Sequence, residues 1–192
     1  MSNVYSSEAL KNRIVVVTGG GRGIGSGISK VVAAAGGEVV IIYPTDAEQV
    51  HADKVIAEIT SVGGKASAYR CDIGVRSECV SVIAQIIKDK GRIDALVNNA
   101  GICDFTPFEE ITPEIWERHL AVNLSGPFYL SQAVVNDMKP RKKGAIVNIS
   151  TVSAYRGGDR QARPDPGRHG APLSAPPAGP RSGELSQPEA AA

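Results

Sequence analysis

A glycine-rich turn with one cation offers this chain its clearest binding chemistry. Residues 18–25 read Thr-Gly-Gly-Gly-Arg-Gly-Ile-Gly and lie between a β-branched run and an amphipathic run. Glycines in such a turn permit positive φ and bring the backbone close to a phosphate. The helix that follows directs its N-terminal amides and positive dipole end at the same anion. The turn therefore predicts a phosphate site, with these contact residues: Thr18, Gly19, Arg22, Gly23, Ile24 and Gly25.

Further polar groups follow the ends of later apolar runs. Asp72 and Ile73 come after the third strand-like run, and residues 98–101, Asn-Asn-Ala-Gly, end the fourth. Ser150 and Thr151 end the fifth. Open α/β sheets bind ligands at the carboxyl ends of their strands, so we expect these groups at one edge.

Repeated strand and helix patterns must position these groups. Strand signals lie at 13–18, 38–43, 66–70, 93–98 and 145–150, and helical patterns fill the gaps. The apolar faces of the first three helices are predicted to comprise Ile24, Ile28, Val31, Val32 and Ala35, then Ala52, Val55, Ile56, Ile59 and Val62, then Cys79, Val82, Ile83, Ile86 and Ile87. Such β-α-β repeats predict an α/β fold, a Rossmann-type doubly wound parallel sheet.

Helix ends carry their own signals. Glycines at 63–64 and at Gly91 are typical of C-caps. Thr112 and Pro113 predict the start of a helix that runs to Met138, with a kink near 123–127.

Composition excludes several classes of function. The net charge is +1, so no nucleic-acid or membrane-surface partner is indicated. No run of 18 apolar residues predicts a membrane span, and residues 1–13 lack the apolar core of a secretory signal. The three cysteines and three histidines have no metal-ligand spacing. We expect a cytoplasmic protein with reduced cysteines and no metal site.

Four signatures occur in order along the chain: the turn at 18–25, Cys-Asp-Ile at 71–73, Asn-Asn-Ala-Gly at 98–101, and Asn123 followed by Val-Asn-Ile-Ser at 147–150. Together they resemble the short-chain dehydrogenase/reductase family. The resemblance covers about residues 8–155. It implies hydride transfer between a nicotinamide and a small alcohol or carbonyl substrate. It also implies that members of the family form homo-oligomers, assembled through the helix around 125–138 and a later helix that this chain lacks.

The resemblance gives two of these signatures a place around the adenosine. It implies that Asp72 accepts a hydrogen bond from the adenine amino group, with Ile73 beside it. A helix N-cap is the structural alternative for Asp72. It also implies that Asn99, Ala100 and Gly101 line the adenosine ribose. For Asn99, a purely structural asparagine turn remains the alternative.

The end of the second strand predicts which cofactor is preferred. NAD-selective sites place a carboxylate there to hold the ribose hydroxyls. This chain has Tyr43-Pro44-Thr45 instead, with no acid before Asp46. Arg22 lies in the glycine turn, where a cation can meet a 2′-phosphate. Both observations favour NADP over NAD, with a solvated surface cation as the alternative for Arg22.

The catalytic residues that the resemblance implies are present only in part. Asn123 matches an asparagine that completes a proton relay, and Thr151, with Ser150 adjacent, matches a serine that binds the substrate oxygen. The family's tyrosine, with lysine four residues later, has no match, because no tyrosine of this chain has lysine at that spacing. A phenol needs such a cation to act as a base near neutrality. We therefore predict an inactive chain, truncated before this motif. Substrate choice is expected to involve the loop 102–110.

Other functions remain as alternatives. A non-catalytic dinucleotide-binding or regulatory protein would keep the cofactor fold without turnover. A P-loop nucleotide triphosphatase would need a lysine after the glycines, and Gly25-Ser26 supplies none. An interaction protein would use the arginine- and proline-rich tail.

The last 37 residues, 156–192, differ from the rest. Proline, glycine, alanine and arginine supply 25 of them. We predict a disordered tail after a dinucleotide-binding domain at 1–155, because such a segment buries too little apolar surface to offset its ordering entropy. These residue types share GC-rich codons, so one hypothesis is a shifted frame or retained intron. The alternative is an evolved tail, and sequencing the transcript and translating its other frames distinguishes the two.

Overall fold

Five parallel strands carry the fold. A computed structural model describes residues 6–151, so the predicted disordered tail at 156–192 and Tyr155 lie outside the described residues. The strands are β1 (Ile14–Thr18), β2 (Glu38–Tyr43), β3 (Lys65–Arg70), β4 (Ala95–Asn98) and β5 (Ala145–Asn148). All five predicted strands form. Those at β4 and β5 are shorter than expected.

The sheet has the order β3-β2-β1-β4-β5, and every pair is parallel. The order reverses at β1, which is the switch point of a doubly wound sheet. Val16 on β1 is level with Val40 of β2 and with Leu96 of β4, and all three are fully buried. The predicted Rossmann-type α/β fold is confirmed. Within the described residues, β5 pairs only with β4, so the sheet is incomplete on its C-terminal side.

Within residues 6–151, five α-helices cover the two faces of the sheet. They are α1 (Gly23–Ala34), α2 (Asp46–Ser61), α3 (Arg76–Lys90), α4 (Pro113–Leu120) and α5 (Gly126–Arg141). The predicted kink is a π-helical turn at Ala121–Ser125 that joins α4 to α5. The Thr112 hydroxyl caps α4 by accepting from the Ile115 amide at 3.4 Å, as expected. Gly91 ends α3 at φ +87°, also as expected.

The apolar face predicted for α1 is wrong in part. Ile24 and Val31 are 70% and 52% exposed. The helix instead faces the sheet with Gly25, Ser29 and Val32. A Cβ on Gly25 would overlap the Gly19 carbonyl oxygen, and the Ser29 hydroxyl donates to the Gly20 carbonyl at 3.1 Å. Small residues therefore bring the start of α1 close to the glycine turn.

The face predicted for α2 is also too long by one residue. Val62 is 82% exposed because the helix ends at Ser61, and Ala52, Val55 and Ile59 form the buried stripe. The predicted face of α3 is confirmed, with Ile87 packed at its margin.

A buried carboxylate joins three elements at the amino ends of the strands. Asp94, 8% exposed, accepts from the Ile14 amide at 3.0 Å and from the Arg92 guanidinium at 3.0 Å. Arg13 and Arg141 lie 3.5 and 3.6 Å away. This network anchors β1, β4 and the end of α5 on the side of the sheet opposite to the predicted site.

Candidate cofactor-binding cleft

A cleft of 430 Å³ opens at the carboxyl ends of β1 to β4. Nine of the twelve predicted cofactor residues line it: Gly19, Arg22, Gly23, Tyr43, Asp72, Ile73, Asn99, Ala100 and Gly101. The structure therefore brings together groups that lie up to 82 residues apart in the sequence. Thr18, Ile24 and Gly25 are adjacent to the cleft but do not line it.

The glycine turn leaves open space above its backbone. Gly19 and Gly23 have φ of +64° and +49°, which favours glycine at both positions. A Cβ on Gly23 would meet no atom within 4 Å, although the residue lies directly at the start of α1. This uncovered backbone, the amino end of α1 and the Arg22 cation suit a dinucleotide phosphate.

The Thr18 hydroxyl ties two turns of the cleft together. It accepts from the amides of Asn99 and Ala100 at 3.0 and 2.9 Å, and it donates to the Val97 carbonyl at 3.4 Å. The Asn99 side chain returns the contact by donating to the Thr18 carbonyl at 2.9 Å. Asn99 therefore has a structural role in this cleft. Whether Asn99, Ala100 and Gly101 also contact a ribose stays a prediction.

Arg22 pairs with a residue that the sequence patterns did not single out. Its guanidinium lies 3.0 Å from the carboxylate of Glu48, in the first turn of α2. The side chain of Arg22 is 62% exposed and that of Glu48 is 25% exposed. Both line the cleft, beside Tyr43 and Thr45.

Asp72 is held by a second unexpected partner. Arg118 of α4 lies 2.9 and 3.1 Å from the two carboxylate oxygens. Asp72 also accepts from the Gly74 amide at 2.9 Å, which closes an Asx turn. The alternative role as a helix N-cap is wrong, because α3 begins at Arg76 and its capping position is Val75.

Asn123 lies in the π-helical turn and binds a loop of the cleft. Its amide accepts from the Ile102 amide at 2.9 Å and donates to the Ile102 carbonyl at 2.8 Å. This pair of hydrogen bonds fixes the start of the loop 102–110.

The next residues of that loop are held by His119. Its Nε2 accepts from the Asp104 amide at 3.2 Å, while Nδ1 lies 2.7 Å from the Ile115 carbonyl. Phe105 and Phe108 are 80% and 89% exposed and available to a substrate or partner.

Ser150 and Thr151 follow β5, and both are exposed. Because β5 is parallel to β4, they lie at the same edge of the sheet as the cleft, but they do not line it. Near the ends of β4 and β5, the side-chain amide of Asn98 donates to the side-chain oxygen of Asn148 at 2.8 Å and to the Ser131 hydroxyl at 3.2 Å. The catalytic roles of Asn123, Ser150 and Thr151 stay predictions.

Sequence reasoning missed Glu48 and Arg118. Each is a charged residue on an amphipathic helix, and its partner lies 26 or 46 residues away. Only the fold brings these charges together, so no local spacing could have identified them.

A second cleft lies at the opposite end of the sheet. It is larger, at 920 Å³, and Arg13, Lys30, Glu58 and Arg92 are among its lining residues. These charges are already paired within the chain, Lys30 with Glu58, and Arg13 and Arg92 with Asp94. None of the predicted site residues lines it.

No helix in residues 6–151 is both long and apolar enough to span a bilayer. The same residues hold no cluster of three or more histidine, cysteine or acidic side chains placed to bind a metal.

The switch-point cleft with its glycine turn defines an α/β protein with a candidate dinucleotide site. The short chain dehydrogenase family model matches residues 13–162. The chain belongs to this family of oxidoreductases, as the resemblance implied.

Named relatives are similar over most of this chain. An acetoacetyl-CoA reductase from Shinella zoogloeoides is 37% identical over 151 residues, which cover 79% of this chain and 60% of the relative. A 3-oxoacyl-[acyl-carrier-protein] reductase from Synechocystis is 36% identical, over 80% and 62% of the two chains. The chain thus spans about three fifths of the length of these relatives.

Solved structures share the fold at similar identity. A metagenomic short-chain oxidoreductase in complex with NADP is 33% identical with a TM-score of 0.70, over 75% of this chain and 64% of that chain. A blue fluorescent protein from a metagenomic library, in complex with NADPH, is 31% identical with a TM-score of 0.70, over 78% and 60% of the two chains.

Proposed function

We propose that this chain binds NADP(H) in the cleft at the carboxyl ends of β1 to β4. The observation that carries the proposal is the arrangement around Arg22. The cation lies in the glycine turn, and the facing end of β2 continues as Tyr43-Pro44-Thr45 without an acid. The two similar structures in complex with NADP and NADPH support the same cofactor. NAD is expected to bind more weakly.

The proposed reaction class is that of the family, acting on a small alcohol or carbonyl compound. When bound, the nicotinamide would supply or accept a hydride. Asn123 is proposed to order the proton relay, and Thr151, with Ser150 beside it, to bind the substrate oxygen. These 192 residues lack a tyrosine with lysine four positions later. We therefore propose that they bind the cofactor in the cytoplasm without appreciable turnover, since loss of a general base costs about 10²–10⁴-fold in rate.

Binding and turnover are tested separately. Calorimetric titration of the full chain with NADP⁺ and with NAD⁺ should give tighter binding of NADP⁺. Absorbance at the NADPH band, followed with a panel of ketones and aldehydes, should show no enzyme-dependent loss. A chain that binds neither dinucleotide contradicts the first proposal, and steady NADPH oxidation contradicts the second.

We also propose that the chain forms homo-oligomers through α4 and α5. An apolar stripe runs along these helices and includes Trp116, Leu124 and Phe128, which are 58%, 65% and 59% exposed. Exposed apolar patches of this kind are typical of protein interfaces. Light scattering should give a multiple of the 20.1 kDa chain mass. The variant L124E/F128E should shift it to the monomer, whereas V50E, an equally exposed apolar position on α2, should not.

A further inference from the structure

The charges around the Arg22 guanidinium point to a competition within the cleft. Glu48 approaches Arg22 to 3.0 Å and is the more buried of the two, with 25% of its side chain exposed. Its place in the first turn of α2 stabilises the carboxylate, because the amino end of a helix favours negative charge. The cation proposed to meet a 2′-phosphate is therefore already paired.

The other groups at this end of the cleft do not replace Glu48. Tyr43, Pro44 and Thr45 carry no charge, and His51, which also lines the cleft three residues after Glu48 on α2, is not an acid. Asp46 also lies in the first turn of α2, but its partner is Arg70 at 3.7 Å and it does not line the cleft. Among the described residues that line the cleft near Arg22, Glu48 is thus the one acid.

We propose that Glu48 sets the cofactor preference of this cleft by competing with the 2′-phosphate for Arg22. The inference rests on the proposed function, because it concerns the same dinucleotide site. A phosphate monoester carries a charge of about −1.5 to −2 at neutral pH, so it requires a cation and must displace the Glu48 carboxylate to pair with Arg22. A ribose hydroxyl carries no such charge and can donate a hydrogen bond to the same carboxylate. Glu48 therefore lowers the affinity for NADP and leaves the affinity for NAD unchanged.

The competition predicts a specific change in the ratio of two affinities. In the variant E48Q, the affinity for NADP⁺ relative to NAD⁺ should rise about three- to fivefold, the equivalent of one partly exposed charge pair. The rise should shrink at high ionic strength, because salt screens exposed charges. In R22Q the ratio should fall. In R22Q/E48Q, removal of the carboxylate should no longer raise it, because the contested cation is gone.

The matched control is D46N, which removes one negative charge from the same helical turn without touching the cleft. Adenosine 2′,5′-bisphosphate and adenosine 5′-monophosphate serve as additional probes, because they isolate the adenosine end. All titrations use calorimetry on the full chain, with thermal unfolding to check that each variant folds.

The outcomes separate this inference from the proposed function. A selective rise in E48Q, absent in D46N, supports the competition. If both dinucleotides bind but E48Q leaves the ratio of their affinities unchanged, or changes it no more than D46N does, the proposed competition by Glu48 is wrong while the proposed cofactor site stands. If neither dinucleotide nor either adenosine phosphate binds the unaltered chain, both proposals fail.

Discussion

Arg118 holds the carboxylate of Asp72 with two nitrogens, at 2.9 and 3.1 Å. The contact joins the segment after β3 to α4 across 46 residues of sequence. A planar guanidinium suits this two-point contact, and an ammonium does not. The orientation of Asp72 at the cleft is therefore fixed by a residue on another element.

We expect R118K to lower the free energy of unfolding by about 1 kcal/mol or less, since the pair is partly exposed. The same change should weaken dinucleotide binding, because Asp72 loses its fixed orientation. Urea unfolding and calorimetric titration measure the two effects. R76K is the control, because Arg76 does not line the cleft and makes an exposed hydrogen bond of 3.3 Å with Gln132 and a contact of 6.0 Å with the Tyr129 ring. Equal effects of the two variants would contradict the role given to Arg118.

Gly25 predicts a steric test of the glycine turn. In G25A the new Cβ would overlap the Gly19 carbonyl oxygen and lie 2.5 Å from the side-chain Nδ2 of Asn99. We expect a loss of stability of about 1–3 kcal/mol and weaker dinucleotide binding, because α1 must move away from the turn. G27A is the control on the same helix, where a Cβ meets nothing within 4 Å. It should stabilise by up to about 1 kcal/mol, since alanine is the better helix former. A stable G25A protein with unchanged binding would refute this account.

Asp94 predicts how stability depends on pH. Burial opposes ionisation, but hydrogen bonds from Ile14 and Arg92 and the nearby charges of Arg92 and Arg13 together lower the pKa of Asp94. A lowered pKa means that the stabilisation is present above the unfolded pKa, near about 4, and is lost as the pH falls through the folded value. D94N should therefore cost about 1–2 kcal/mol at neutral pH, because the buried carboxylate loses its ion pairs with Arg13, Arg92 and Arg141, whose own side chains stay 28–51% exposed.

Urea unfolding at neutral and at acidic pH checks this expectation. The difference between D94N and the unaltered chain should begin to narrow below about pH 4, where the carboxylate of the unfolded chain becomes protonated, and should disappear only below the lowered pKa of the folded state. A difference that is the same at both pH values would contradict it. D53N is the control, because Asp53 lies exposed on α2 and has no ion pair among those found in residues 6–151.

The cysteines should differ sharply in reactivity. Cys71 and Cys79 are 1% and 0% exposed, whereas Cys103 lies on the exposed loop after β4. The hydrogen bond with Cys79 and burial raise the pKa of the Cys71 thiol. Since the thiolate is the reactive form, Ellman's reagent should label Cys103 quickly and the other two only after denaturation. Fast labelling of all three in the folded chain would show that the region after β3 opens readily.

Much of the fold could be predicted because apolar periodicity sets it. The run at 39–42 is β-branched and buried, and β2 has the predicted bounds of 38–43. The pattern failed where packing depends on small residues. Ile24 and Val31 looked like core residues, but α1 approaches the turn through Gly25 and Ser29, so both point outward.

In the predicted site too, some residues could be predicted from the sequence and others could not. Glycines and asparagines at strand ends could be read from the sequence, because their places follow from the ends of strands. The ion pairs Arg22–Glu48 and Arg118–Asp72 could not, because helix registry and rotation decide which charges meet. The expected kink became a π-helical turn, and the hydrogen bonds of Asn123 with Ile102 are made from it.

The hydroxyl of Thr18 has reached its full hydrogen-bonding valence. One proton and two lone pairs are all that a hydroxyl offers, and Val97, Asn99 and Ala100 take them. The hydroxyl therefore joins two loops of the cleft and has no further hydrogen bond to offer a ligand, while the place of Thr18 beside the cofactor stays a prediction. A valine at this position would fill the same volume but would leave the amides of Asn99 and Ala100 without their acceptor, so it could not replace threonine here.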